Sequence, residues 1–283
     1  YFDIDWQPLK SDLAEKVLLP ILGDQYGRVL ERGELRVQFE AGTFSLHYYE
    51  NELPLAPGTF RHILNFALAA LTPHREEEFY AELQSILTAL EYLPRRTETD
   101  PARIAERARE KEIIKRRLER RLQEAPQVQE AIDAALAQIN GTPGEARSFD
   151  ALDALLHEQS YRLAFWRVAA EEINYRRFFD INDLAAIRME LPEVFDATHQ
   201  LVLELVAAGA VTGLRIDHPD GLYRPKDYFA KLQQRCAEAI GQSGDGCAIY
   251  LVVEKILSGK ETLPSDWLVH GTTGYEFGRL VTS

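Results

Sequence analysis

Apolar and polar residues alternate in two short segments near the start of the chain. The alternation covers residues 35–40, stops at a turn around Gly42, and resumes over residues 43–48. A period of two is typical of a β-strand with one buried face. The apolar positions are Leu35, Val37, Phe39, Phe44, Leu46 and Tyr48. The pattern therefore predicts a β-hairpin, which a Pro-rich connector from Leu53 to Gly58 should end.

Helical periodicity replaces this alternation from Phe60 onward. Apolar residues recur at helical spacing over 60–71 and 76–93, and Asp100-Pro101 is a helix-start signal for a long charged helix. Its predicted apolar stripe consists of Ile104, Ala108, Ile114, Leu118 and Leu122. The basic run at 115–121 suggests an RNA contact, but glutamates interleave at helical spacing, so a solvated helix face is favoured. The segment 141–144 breaks the helical region, and a further helix is expected over 192–208.

The last third of the chain reads as strand, helix and strand. Short β-rich runs at about 211–217 and 248–254 flank a helix that begins at Pro225 and stops at Gly241. This order predicts a βαβ unit with two parallel strands.

Composition and charge narrow the range of partners and cofactors that the chain is expected to bind. The chain has 283 residues, 46% of them apolar, and a formal net charge of −13, which argues against nucleic-acid and anionic-membrane partners. No run of about 18 apolar residues and no leader sequence is evident, and two cysteines in a chain of this length indicate reduced thiols rather than a disulfide framework. We therefore expect a cytoplasmic protein. The seven histidines lack metal-ligand spacing, and we expect no metal or cofactor.

Charged residues lie where the two predicted parallel strands end. Asp217 ends the first strand and Glu254 the second, and Arg215 shares a face with Asp217. If the strands are neighbours, the two carboxyl groups can lie roughly 5 to 5.5 Å apart, which suits retaining glycoside chemistry. Arg215 would keep Asp217 ionised as a nucleophile, and an apolar setting is expected for Glu254 as the acid. A simple salt bridge and a loop-starting glutamate remain alternative interpretations.

Several strings resemble segments of the α-amylase clan. "GLRIDHPDGL" (213–222) resembles the segment that ends the fourth barrel strand, "VVEKIL" (252–257) resembles the one that ends the fifth, and "FFDINDLAAIR" (178–188) is similar to the segment closing the domain after the third. Together with "NYRRFFDIN" (174–182), "HGTTGYEF" (270–277) and "YFDIDW" (1–6), they resemble one family, the malto-oligosyltrehalose synthases. The resemblance is weak across the helical middle.

The resemblance implies a role for each matching residue. Asp217 would be the nucleophile, Glu254 the general acid/base, and Arg215 the residue that positions Asp217. His218 and Asp220 would lie where the acceptor sugar binds. Further candidates for binding the sugar, each of which packing alone could also explain, are Lys255, Tyr275, Tyr175 and Arg177, with Phe178 and Phe179. The implied reaction converts the reducing-end α-1,4 linkage of a malto-oligosaccharide into an α,α-1,1 linkage by intramolecular transfer.

The implied fold is α/β and helix-rich: a partial (β/α)8 TIM barrel, contributing its fourth and fifth strands, with a large, mainly helical insertion that carries the hairpin. We expect an inserted region over 1–57, a helical insertion over 58–184 and a partial catalytic barrel over 185–283. Three barrel strands before Tyr1, three after Ser283 and the clan's third carboxylate are missing, so the isolated chain should be inactive. An α-glucanotransferase or amylase of the clan, and a non-catalytic helical module, remain alternatives.

Overall fold

Two units make up the mixed α/β chain in the computed structural model, which describes residues 1–243 and 246–282. Trp6–Asn174 form one unit, here called the helical unit. Tyr1–Asp5 and Tyr175–Ser283 form the other, here called the C-terminal unit. The three-part division of the sequence into an inserted region, a helical insertion and a partial barrel stays a prediction.

The helical unit contains five strands and seven α-helices among its described residues. In chain order they are β1 (Val17–Leu22), α1 (Tyr26–Glu31), β2 (Leu35–Glu40), β3 (Thr43–Tyr48), β4 (Asn51–Pro54), α2 (Phe60–Ala70), α3 (Glu78–Glu91), α4 (Pro101–Glu124), α5 (Pro126–Ile139), α6 (Asp150–His157), β5 (Tyr161–Phe165) and α7 (Ala169–Glu172). β2, β3 and β4 form an antiparallel sheet, and β1 pairs with β5 in parallel. Helices α2 to α6 and the antiparallel sheet enclose one apolar core.

The predicted hairpin is confirmed, and a third strand extends it. Its apolar positions face the core, and the turn uses left-handed residues, with φ 48° at Ala41 and 74° at Gly42. A Cβ atom at Gly42 would lie 2.2 Å from the Lys115 carbonyl oxygen, so only glycine lets the turn approach α4 this closely. The connector expected from Leu53 is partly wrong, because residues 51–54 pair with β3 as β4.

The parallel β1–β5 pair was not evident from the sequence. Pro20 interrupts β1, and the register with β5 shifts between Leu19 and Leu22. The side chain of Asn174 accepts a hydrogen bond from the Leu18 N–H at 2.9 Å and donates one to the Lys16 carbonyl at 2.7 Å. The Asn174 amide therefore satisfies the hydrogen-bonding needs of backbone groups at the start of β1, a strand whose register with its partner is irregular.

The long charged helix begins as predicted but packs over only part of its length. The Asp100 carboxylate caps α4 by accepting from the Ala102 N–H at 3.0 Å. Ile114 and Leu118 are buried, whereas Ile104 is 39% exposed, so the predicted apolar stripe is fully buried only around the middle of the helix. Basic side chains of α4 pair with α3, Arg117 with Glu82 at 2.8 Å and Arg121 with Glu78 at 2.9 Å. Among the described residues, no helix has both the length and the apolarity needed to cross a membrane.

The C-terminal unit contains the predicted strand, helix and strand. Its elements are α8 (Pro192–Ala207), β6 (Gly213–Ile216), α9 (Pro225–Ala239), β7 (Tyr250–Val253), β8 (Gly271–Thr272) and α10 (Tyr275–Thr282). β6, β7 and β8 lie side by side in that order and all pairs are parallel. The two predicted strands are confirmed, although each is shorter than expected. The expectation of two strands was wrong, because β8 adds a third.

A small apolar core lies against this sheet, and two buried polar side chains interrupt it. Phe195, Phe229 and Leu232 of α8 and α9 pack on the strand residues Leu251 and Val253. Gln233 is fully buried: its Nε2 donates to the Ile249 and Leu268 carbonyls, and its Oε1 accepts from the Ala248 and Ile249 N–H groups. It thus fixes the start of β7 to α9.

His199, the second buried polar residue, lies between α8 and α9. Its Nδ1 donates to the Phe195 carbonyl at 2.9 Å, and Nε2 lies 2.8 Å from the Tyr228 hydroxyl, from which it accepts when the ring is neutral. Burial lowers the pKa of His199. The fold therefore favours the neutral ring.

Candidate active site

Asp217 and Glu254 follow directly after the neighbouring strands β6 and β7. Arg215 pairs with Val252 and Ile216 with Val253, and the ladder continues as the Glu254 N–H donates to the Ile216 carbonyl at 2.8 Å. Because residues at matched positions of parallel strands face the same side of the sheet, both carboxylates extend toward one face. The carboxyl ends of parallel strands are also where catalytic residues of α/β proteins gather.

One guanidinium group faces both carboxylates. Arg215 Nε lies 2.5 Å from Asp217 Oδ1, and Arg215 Nη2 lies 3.9 Å from Glu254 Oε1. The hydrogen bond to Asp217 is the main reason that the pKa of Arg215 is raised. Since the side chains of Arg215 and Asp217 are 52% and 59% exposed, water screens this pair, and its effect is to orient the carboxylates rather than to stabilise the fold.

The beginning of α10 contacts Glu254 and the segment after it. The Tyr275 hydroxyl donates to Glu254 Oε1 at 3.1 Å, and this bond raises the pKa of Tyr275. The neighbouring Glu276 accepts from the Leu257 N–H at 2.8 Å, which lowers the pKa of Glu276. The apolar setting expected for Glu254 is limited to the buried strand residues before it, because the carboxylate itself meets a hydroxyl and faces a guanidinium group.

Lys255 lies between two carboxylates. Its Nζ is 3.1 and 3.2 Å from the two oxygens of Asp220 and 2.8 Å from Glu261 Oε1. The Lys255 side chain is 11% exposed, and the hydrogen bond to Glu261 raises the pKa of Lys255 and lowers that of Glu261. The ammonium group thus ties the turn after β6 to the loop after β7. Glu261 was not singled out from the sequence.

His218 packs against two phenylalanines. Its ring stacks on Phe179 with centroids 3.9 Å apart and meets the edge of Phe178 at 4.9 Å. His218 has a φ of 52°, a left-handed conformation that is uncommon for a residue with a Cβ atom. Phe178 and Phe179 remain 40% and 56% exposed, so this cluster, built around the residue that follows Asp217, leaves apolar ring surface exposed.

Tyr175 and Arg177 make their polar contacts inside their own segment. The Tyr175 hydroxyl donates to the Asn182 carbonyl at 2.7 Å, and burial raises the pKa of Tyr175. Arg177 donates to Asn182 Oδ1 at 2.9 Å and pairs with Asp180. The structure therefore brings together Arg215, Asp217, Glu254 and Tyr275, and links Asp220 to Lys255, whereas Tyr175 and Arg177 shape the segment that carries Phe178 and Phe179.

Comparison with known proteins finds that the chain is similar to one class of enzymes. No protein-family model matches the chain. Proteins of two Mycobacterium tuberculosis strains, CDC 1551 / Oshkosh and ATCC 25618 / H37Rv, both named maltooligosyl trehalose synthase, are 41% identical over 130 residues, which are 46% of this chain and 16% of each relative.

Solved structures of enzymes with similar names also match the chain. A maltooligosyltrehalose synthase from Arthrobacter ramosus matches 98% of this chain and 22% of its own, with 29% identity and a TM-score of 0.53. The DSM5389 glycosyltrehalose synthase matches 98% and 25%, with 28% identity and a TM-score of 0.50. The resemblance to the malto-oligosyltrehalose synthases is therefore confirmed, for a chain that spans about a fifth of the relatives' length.

Proposed function

We propose that the complete gene product containing these residues converts the reducing-end α-1,4 linkage of malto-oligosaccharides into an α,α-1,1 linkage. The named relatives support trehalose synthesis in general. The observation that carries the finer proposal is the position of Arg215, whose guanidinium faces Asp217 and Glu254 at the ends of adjacent parallel strands. Two carboxylates that share a face and a common cation fit a retaining glycoside mechanism.

The mechanism assigns a separate role to each carboxylate. Asp217 attacks the anomeric carbon of the penultimate sugar, the bond from that carbon to the O4 of the terminal glucose breaks, and Glu254 gives this oxygen a proton. The glucose stays bound and turns, and its anomeric hydroxyl attacks the glycosyl–Asp217 ester while Glu254 takes the proton. The carboxylate of Asp217 is regenerated, and the product is an α,α-1,1-linked sugar.

The binding roles follow from position. His218, with Phe178 and Phe179, offers ring surface next to Asp217, and we assign this surface to the released glucose. Tyr275 holds Glu254, and Lys255 with Asp220 fixes the turn on the acceptor side. Tyr175 and Arg177 hold the segment that carries Phe178 and Phe179 through their hydrogen bonds to Asn182.

The finer fold assignment is also a proposal. β6 and β7 would be the fourth and fifth strands of a (β/α)8 barrel, and β8, which pairs with β7 in parallel, would follow them. The helical unit would be the insertion. A cytoplasmic location and a malto-oligosaccharide as the partner complete the proposal.

The 283 residues alone should neither cap nor hydrolyse maltopentaose. Transfer requires that water be kept from the covalent intermediate, and here the Asp217 side chain is 59% exposed. Assaying the purified 283-residue chain against maltopentaose tests this directly. A trehalose-capped product that disappears in Asp217→Asn would contradict it.

The assay of the complete gene product counts reducing ends during incubation with maltopentaose. Capping lowers their number, whereas an amylase raises it and an α-glucanotransferase leaves it unchanged while redistributing chain lengths. Asp217→Asn should abolish the loss, and Asp227→Asn, an exposed aspartate on α9, is the matched control and should not. Unchanged turnover in Asp217→Asn would favour a non-catalytic module and refute the assignment.

A further inference from the structure

Arg176 joins three segments of the C-terminal unit through one guanidinium group. Its Nε donates to Asp3 Oδ2 at 2.8 Å, Nη2 donates to the Ile187 carbonyl at 3.1 Å, and Nη1 donates to the Gly221 carbonyl. Its own N–H donates to the Asp3 carbonyl at 2.9 Å. Each of the three side-chain nitrogens thus donates a hydrogen bond to a different segment, and together these bonds fix the plane of the guanidinium group.

The Gly221 carbonyl belongs to the turn that follows Asp217. The Gly221 N–H donates to the His218 carbonyl at 3.1 Å, and a Cβ atom at Gly221 would lie 2.4 Å from the His218 ring. The ring is thus in close contact with the Gly221 backbone on one side. The ring also stacks on Phe179. Gly221 and Phe179, which both contact the His218 ring, are here called the two walls of its slot.

Arg176 is connected to both walls of this slot. It bonds the Gly221 carbonyl directly, and it lies three residues before Phe179 in the same segment, which the Asp3 and Ile187 contacts hold in place. The left-handed backbone of His218 is unfavourable in isolation, so it requires surroundings that fix it. The Arg176 contacts provide such a constraint next to the proposed nucleophile.

We propose that Arg176 is a positioning residue that clamps Gly221 against the aromatic segment and so holds the His218 ring beside Asp217. This rests on the function proposed above in one respect: if His218 contacts the released glucose, the clamp determines whether that glucose stays long enough to be the acceptor. Arg176 then favours transfer over hydrolysis without touching the reacting atoms.

The first test measures how accessible the His218 ring is to a chemical reagent and does not depend on enzyme activity. Diethyl pyrocarbonate adds a carbethoxy group to accessible imidazole nitrogens, and peptide mass spectrometry gives the rate at each histidine. Arg176→Ala in the complete gene product should raise the rate at His218 about fivefold relative to the exposed His157. Arg188→Ala is the matched control, because Arg188 also faces Asp3 but pairs with Glu190 rather than Gly221, and it should leave the rate unchanged.

The second test measures product partition with maltopentaose. Arg176→Ala should raise the ratio of free glucose to trehalose-capped product about tenfold. The total rate of bond cleavage should fall by a smaller factor than this ratio rises. Arg176→Lys should restore the ratio only in part, because an ammonium group cannot bond Asp3, Ile187 and Gly221 with the geometry of a guanidinium. Arg188→Ala should keep the wild-type ratio.

Gly221→Ala provides an independent perturbation, because the added methyl group displaces the His218 ring from inside the turn. It should raise both the His218 rate and the glucose fraction. A folded Arg176→Ala or Arg176→Lys variant with a wild-type His218 rate would overturn the clamp. If the wild type forms no capped product, the proposed function fails, and the His218 rate still decides whether Arg176 clamps Gly221.

Discussion

Replacing Gln233 by leucine should destabilise the C-terminal unit by roughly 3 to 5 kcal/mol, since a buried backbone group left without its hydrogen bond costs about 1–3 kcal/mol. The change removes partners from four backbone groups at 2.9–3.1 Å. Two of them belong to Ile249, which is 8% exposed and cannot turn to water. Ala248 and Leu268 are half-buried, so water recovers part of their bonds.

Urea unfolding followed by Trp267 fluorescence measures this effect in the 283-residue chain. Trp267 packs on Phe229 with ring centroids 5.0 Å apart, inside the core that Gln233 anchors. The exposed Trp6 and Trp166 are replaced by phenylalanine so that the signal reports on this unit.

The neighbouring Gln234 offers a matched control. Its side chain is exposed on the same helix and donates to the exposed Glu238 at 3.0 Å, so Gln234→Leu should change the free energy of unfolding by less than about 0.5 kcal/mol. A Gln233→Leu variant within about 1 kcal/mol of the parent would refute the reasoning that these four bonds hold β7 to α9.

Three further predictions concern the turn, the buried histidine and the acid. Gly42→Ala should lower the free energy of unfolding, measured by heat or urea, by at least about 2 kcal/mol, because φ is 74° and the methyl group meets the Lys115 carbonyl. The control Gly58→Ala, which has open space around it, should lower it by less than about 1 kcal/mol. Because the pKa of His199 is lowered in the fold, its contribution to stability is complete above about pH 6.5 and declines as the pH falls below it; His199→Gln should flatten the decline, and an unchanged pH profile would contradict this. Glu254→Gln in the complete gene product should nearly abolish turnover of maltopentaose but reduce release of fluoride from α-maltosyl fluoride far less, since fluoride leaves without a proton; equal losses would indicate a structural role.

Local patterns predicted the elements whose signal lies within a few residues. The hairpin follows from alternation between Leu35 and Tyr48, and the βαβ order follows from apolar runs on either side of a helix that begins at Pro225. β1 was missed because Pro20 lies inside it and its partner β5 is distant in sequence. β8 was missed because two residues, Gly271 and Thr272, carry no periodicity.

Some residues of the candidate site could likewise be predicted from local sequence, and others could not. Arg215 lies on β6 and Asp217 directly after it, two residues further on, so their contact was predictable, and the position of Glu254 followed from the parallel pairing of β6 and β7. Arg176 and Glu276 were missed because their partners include backbone groups of loops, which leave no mark in a single sequence. The chemical roles of all these residues stay predictions.

Trapping the covalent intermediate would show which carboxylate attacks the sugar. The Glu254→Gln variant of the complete gene product, incubated with α-maltosyl fluoride, should accumulate a maltosyl ester because formation of the ester needs no proton while its breakdown lacks a base. Trypsin should release residues 216–226, which contain both Asp217 and Asp220, so fragment ions must locate the added mass. We predict that the maltosyl group is found on Asp217 and is absent when Asp217→Asn is added. A maltosyl ester on another carboxylate, or fluoride release that persists undiminished in the double variant, would contradict Asp217 as the nucleophile.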